Sequence, residues 1–288
     1  MIVFRIATIA LAVLAALACG SSSPPSSGTS HAGSSPGMSS AMPGMNMGGQ
    51  GNGLASSVDG FTFASSISTL APGTAQDYRF RIMGQAGRPH TTFSVDQTKL
   101  MHFYAIRADL TGYRHLHPSM ASDGTWSTAL PLKDPGPYRV FASFIAKDSA
   151  GKDHPLVLSR ELMVPGSYQP VSLPPPSESA EVDGYLLTLQ GQMMHGMSMP
   201  FTVRVTRGGQ PVADLEPYLD TYAHVTAFRS PNLAFTHLHP EEKAQAGGHG
   251  GPQLTFDSEL PEAGDYRLFV QFQTQGQLHT GTLTVRAG

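Results

Sequence analysis

The chain has 288 residues, a formal net charge of −3 and only 14% charged side chains. It shows no basic stripe, which argues against a nucleic-acid partner. A single cysteine, Cys19, excludes intrachain disulfides, thiolate zinc sites and blue-copper centres, so any metal site must be built from His, Met and carboxylates.

Taken in chain order, Arg5 leads into an apolar run from Ile6 to Ala18 that ends on Ala16-Leu17-Ala18-Cys19-Gly20. Residues 1–19 resemble a bacterial lipoprotein signal, although Ala16 stands where that family prefers Leu. The resemblance implies lipidation of Cys19 and anchoring to the outer face of the cell membrane. An ordinary cleaved signal peptide would secrete the chain instead, and either reading places it outside the cytoplasm. Residues 20–57 are rich in Ser, Gly, Pro and Met and bury too little to fold, so they are expected to form a disordered tether. Met38, Met42, Met45 and Met47 lie in this tether, with His31 nearby.

Two segments of about 100 residues follow, 58–164 and 181–288, separated by a Pro/Ser-rich linker at 165–180. They are diverged copies. His102-Phe103-Tyr104-Ala105-Ile106-Arg107 matches His224-Val225-Thr226-Ala227-Phe228-Arg229, and Phe141-Ala142-Ser143-Phe144 matches Phe269-Val270-Gln271-Phe272. Short aromatic or β-branched runs bounded by Gly and Pro recur about seven times per copy, and no stretch keeps a helical period. The expected fold is all-β, with two tandem immunoglobulin-like β-sandwich modules.

Within each copy one histidine spacing repeats. His102, His115 and His117 recur as His224, His237 and His239, and both copies contain His-Leu-His-Pro. Ser230-Pro231-Asn232-Leu233 reads as a four-residue hairpin turn. Pairing Arg229 with Ala234 across it places His224 opposite His239. Pairing Arg107 with Gly112 likewise places His102 opposite His117. Opposed residues of an antiparallel pair share a face, with Cβ atoms about 4.5–5.5 Å apart. Alternation puts the remaining histidine of each motif on that face too. Each module is therefore expected to hold a three-imidazole cation site. His154 and His279, each at the start of the last strand of its module, are candidate fourth ligands.

Methionine suggests the metal. Met193, Met197 and Met199 flank His195 in Met193-Met194-His195-Gly196-Met197-Ser198-Met199-Pro200. Thioether sulfur is soft and selects Cu(I), whereas imidazole accepts Cu(II), Cu(I) and Zn. Met193, His195, Met197 and Met199 are candidate ligands, and core or loop packing is the alternative for this stretch. The tether methionines resemble the Met/His-rich segments of extracytoplasmic copper-handling proteins. His249, in a Gly/His stretch, reads as part of a flexible loop.

The second copy, with Asp214-Leu215-Glu216-Pro217-Tyr218-Leu219, Tyr222-Ala223-His224, the His-Leu-His-Pro motif and the run from Pro261 to Phe272, resembles the secreted bacterial heavy-metal-associated or YtkA-like proteins. That resemblance spans Tyr185 to Val285. It implies an immunoglobulin-like fold, an extracytoplasmic location, a link to copper or related metals, and His224, His237 and His239 as ligands. The first copy keeps the histidines but lacks the Asp214–Leu219 segment. The expected function is a lipid-anchored protein that buffers or delivers copper, with zinc as the other candidate ion and a copper-handling protein as partner. Its affinity would weaken below about pH 6 as the imidazoles protonate. Two alternatives stay open: a metal-dependent enzyme with an open three-histidine site, and an interaction module with incidental histidines. No acidic residue recurs beside the histidines to serve as a general base, so catalysis is not expected.

Overall fold

In the computed structural model the described residues run from Asn52 to Gly288, apart from Gln85 and Ala246, and only the backbone is described for His237 and His239. The signal segment with Cys19, and the tether methionines with His31, lie outside the described residues.

The first module contains β1 (Ser57–Val58), β2 (Phe61–Ala64), β3 (Gln76–Met83), β4 (Phe93–Ser94), β5 (His102–Arg107), β6 (Arg114–Leu116), β7 (Ser119–Met120), β8 (Thr125–Leu130), β9 (Gly136–Lys147) and β10 (Asp153–Val164). The second contains β11 (Ser179–Val182), β12 (Tyr185–Gln190), β13 (Ser198–Arg207), β14 (Gln210–Pro211), β15 (Ala223–Arg229), β16 (Phe235–Pro240), β17 (Gln253–Glu259), β18 (Gly264–Thr274) and β19 (Gln277–Ala287). In the first module, a sheet ordered β1-β2-β3-β8-β7 packs on one ordered β10-β9-β5-β6. The second module repeats this plan, but β16 runs on from β15 in one sheet to β17 in the other and joins them. In the first module the corresponding strand breaks at His117-Pro118, between β6 and β7. Two tandem immunoglobulin-like β-sandwiches result.

The hairpin registers follow the turn logic. Phe103 faces Leu116 and Tyr104 faces His115, while Val225 faces Leu238 and Thr226 faces His237. The second turn closes through Arg229 N–H on the Ala234 carbonyl, at 2.9 Å. The first closes through Arg107 N–H on the Thr111 carbonyl instead of on Gly112. Gly112, at φ +66°, takes up the extra residue, and a Cβ there would meet the Tyr138 hydroxyl at 2.8 Å. Both ladders stop one pair short of the outer histidines: β6 ends at Leu116, and His239 pairs with Asp257 of β17 and not with His224.

All six residues of β5 are buried. Phe103 and Ala105 enter the core of their own sandwich, built around Tyr78, Phe80 and Trp126. Tyr104 and Ile106 face the other way, into a third core shared between the modules with Tyr113, Phe141, Phe228, Phe235 and Phe269. Tyr113 stacks on Phe269 with centroids 4.1 Å apart, and Phe235 on Phe141 at 5.5 Å. Tyr113 and Phe235 occupy the same place in the repeat, as do Phe141 and Phe269, so the modules meet about a pseudo-twofold axis. The two sandwiches thus belong to one compact unit. The segments flanking the first module are also packed. Asn52 accepts a backbone bond from Phe235, and Ala55 one from Ser159, so these residues, expected in the tether, are packed against the modules. In the linker, Val171 N–H bonds Asp109 at 2.9 Å and Leu173 packs against the shared core.

Candidate metal centre

Alternation on β5 and β6 turns His102, Tyr104, His115 and His117 to one face, the face that meets the second module. The ligand-capable nitrogens of His102, His115 and His117 all lie within 4.8 Å of one another. Their ring centroids are 5.3, 5.1 and 4.7 Å apart. Nitrogens bound to one ion at 2.0–2.1 Å in a tetrahedral shell stand roughly 3.3 Å apart, so small ring rotations would close the set.

The proton positions follow from the partners. His102 Nε2 is 3.1 Å from the Asp96 carbonyl oxygen, which can only accept, so Nε2 carries the proton. His115 Nδ1 is 2.7 Å from Gln271 Oε1, and the Gln271 amide is oriented by Thr280 and Tyr113. That nitrogen also carries its proton. In the neutral rings, His102 Nδ1 and His115 Nε2 therefore present lone pairs to each other across 3.1 Å. A shared proton would relieve this, but burial pushes His102 down to about 4 and His115 well below the usual imidazole range. Burial, with His102 nearby, pushes His117 down to about 3. His117 Nε2 is buried without a hydrogen-bond partner. Three neutral imidazoles with converging lone pairs fit a cation.

The second module closes the cluster. His224 is fully buried and stacks on His115 at 4.6 Å and near His102 at 5.9 Å. Its Nε2 bonds the Tyr104 hydroxyl at 3.1 Å and its Nδ1 bonds Gln97 at 2.9 Å, both across the module boundary. His224 thus faces the first module's site. The cause is the shared core, which covers the outer face of β15 with β5 and β6. The backbone places His237 and His239 on β16 beside β15 and β17.

The expected fourth ligands stand elsewhere. His154 pairs with Ala146, out of step with the His102–Ser143 rung, and its Nε2 bonds Asp148 at 2.9 Å. His279 pairs with Phe272, one residue from the His224–Gln271 rung. It is buried among Tyr185 and Phe272, with Nδ1 on Asp183 at 2.8 Å and Nε2 on Thr274 at 3.0 Å. His154 lies three residues from the rung that faces the cluster and His279 one, and an odd offset on a strand reverses the face, which is why neither reaches the cluster. The methionine stretch spans different surroundings. Met193 is buried in the second module's core, Met197 is 54% exposed, and Met199 is the second residue of β13, opposite Ser258. His195 is exposed, with Nδ1 on the Gly288 carbonyl.

Sequence reasoning missed Gln271, Gln97 and Tyr104. Gln271 is visible as the polar residue of Phe269–Phe272, where the first copy has Ser143, but its partner lies in the other module. Burial and the neighbouring Asp220 carboxylate also push Asp96 up to about 6, so the turn beside the cluster carries little negative charge at low pH.

The family model of a domain of unknown function (DUF8832) matches residues 56–153 and 180–288. No curated protein matches the chain. Among solved structures, a tetra-tandem repeat from the extending region of a large adhesion protein is 11% identical over 76% of this chain and 48% of that one, with a TM-score of 0.23. Salmonella alpha-2-macroglobulin is 12% identical over 81% and 15%, with a TM-score of 0.25. A marsupial T cell receptor is 13% identical over 81% and 99%, with a TM-score of 0.22. This chain thus spans about half of the first and a small part of the second, and superpositions this loose say nothing about function. Among the described residues, no helix is long and apolar enough to cross a membrane.

Proposed function

We propose, for a chain that belongs to the DUF8832 family of domains of unknown function, that it is an extracytoplasmic metal-binding protein whose cation sits among His102, His115 and His117. One observation carries this reading: the ligand-capable nitrogens of His102, His115 and His117 all lie within 4.8 Å of one another, and His117 Nε2 among them is buried without a hydrogen-bond partner. A buried polar nitrogen left unsatisfied is costly, and a cation held among the three rings would satisfy it.

Copper is the ion this reading favours. Imidazole accepts it in both oxidation states, and the tether methionines Met38, Met42, Met45 and Met47 are soft donors suited to Cu(I). Zinc is the competing ion for an all-imidazole set. The role is buffering or delivery to a copper-handling partner, from a chain anchored through Cys19 or secreted. Binding fits better than turnover, because the groups that hold the histidines are a main-chain carbonyl and an amide, neither of which is a general base.

The test is a titration of the full chain with Cu(I), Cu(II) and Zn(II), with Met38, Met42, Met45 and Met47 changed to Leu so that their thioethers are not counted. A tightly bound equivalent that disappears in His115→Ala and His117→Ala supports the reading. Uptake that is indifferent to both changes overturns it.

A further inference from the structure

A short polar contact on the cluster comes from outside its own module. His115 Nδ1 meets Gln271 Oε1 at 2.7 Å, and Gln271 is only 4% exposed. Its amide is held in turn by Thr280 on β19 and by the Tyr113 hydroxyl of the first module. On β18, Gln271 is the cross-strand partner of His224, so one rung of the second module both stacks on His115 and bonds it. A ligating imidazole is normally fixed through its second nitrogen, and loss of that outer contact typically lowers metal affinity 10–100-fold.

We infer that Gln271 is a positioning residue for the cation site, so that the first module's histidines form a competent site only while docked on the second module. The inference rests on the metal-binding reading. By accepting the Nδ1 proton, Gln271 holds His115 in the tautomer whose Nε2 lone pair points into the cluster. A neutral imidazole without that acceptor divides between two tautomers, one of which presents an N–H where the cation must sit. Because the same residue belongs to the inter-module contact, cation binding and module docking stabilise each other by linkage.

The experiment compares the wild-type full chain with Gln271→Leu and Gln271→Glu, with Zn(II) as a redox-silent probe and nitrogen-15 NMR of the imidazoles in the metal-free protein. Gln271→Leu is expected to weaken Zn(II) binding about 10–100-fold and to lose the single Nδ1–H tautomer of His115. Gln271→Glu, which still accepts that proton, is expected to bind at least as tightly as wild type. Thermal unfolding of each metal-free variant checks that the fold survives. If Gln271→Leu binds Zn(II) like wild type, or Gln271→Glu is as weak as Gln271→Leu, the positioning role is overturned and the metal reading stands. If the wild-type chain takes up neither Zn(II) nor copper, the metal reading falls and this inference with it.

Discussion

At the scale of single residues, burial decides the chemistry. His102 and His117 take up protons in the unfolded chain near the ordinary imidazole value of about 6.5, but in the folded protein only at about 4 and about 3. Below pH 6.5 the unfolded state therefore binds more protons than the folded one, and stability rises with pH. The metal-free protein should be most stable above about pH 6.5 and lose stability as the pH falls toward 4 and then 3. His102 alone accounts for about 3 kcal/mol of that loss, at ~1.4 kcal/mol per pKa unit. Urea unfolding from pH 8 to pH 4 measures it. The slope should flatten in the double variant His102→Gln, His117→Gln, and an unchanged slope would assign the acid sensitivity to other groups. The same depressed values keep the lone pairs available to a cation at a lower pH than the ordinary imidazole value of about 6.5 suggests.

At the scale of elements, the β5–β6 hairpin is pinned by a buried ion pair. Arg107 Nη2 meets Asp109 Oδ2 at 2.8 Å, with side chains 8% and 3% exposed. Burial alone would raise Asp109, but hydrogen bonds from Arg107, Val171 N–H and Thr111 outweigh it and hold the carboxyl below its usual value. The Val171 bond fastens the linker to the hairpin that carries His115 and His117. Asp109→Ala leaves a buried guanidinium without its carboxylate, and breaking such a pair costs about 3–5 kcal/mol. Chemical denaturation should show that loss. Limited proteolysis should find new cleavage between residues 165 and 178, and a linker as resistant as wild type would contradict the pinning.

At the scale of the molecule, the shared aromatic core makes the two sandwiches one cooperative body. Phe235 lies against Tyr104, Phe141 and Phe228, so it ties the second hairpin to both modules. Truncating a buried Phe typically costs about 3–5 kcal/mol. Phe235→Ala should lower one common unfolding transition in calorimetry. Two separated transitions in the wild-type protein would mean that the modules unfold independently.

Much of this was legible in the chain itself. Turn chemistry at Ser230–Leu233 and the alternation of β5 and β6 are local, so the hairpin registers and the shared face of His102, His115 and His117 follow from residue order. The all-β duplication is equally local, because short aromatic runs between Gly and Pro leave no other period. What the order of residues does not contain is which outer faces meet. His224 and Gln271 serve the first module's cluster because the exposed sides of β15 and β18 would otherwise leave Phe228 and Phe269 in water, and burying them against Tyr113 and Phe141 carries both polar residues onto His115. His154 and His279 miss the site for the converse reason, since an odd shift of register on the last strand reverses a face. Local sterics and hydrogen bonding set the strands and the first triad; the non-local, non-directional burial of aromatic surface chose the partner that completes it.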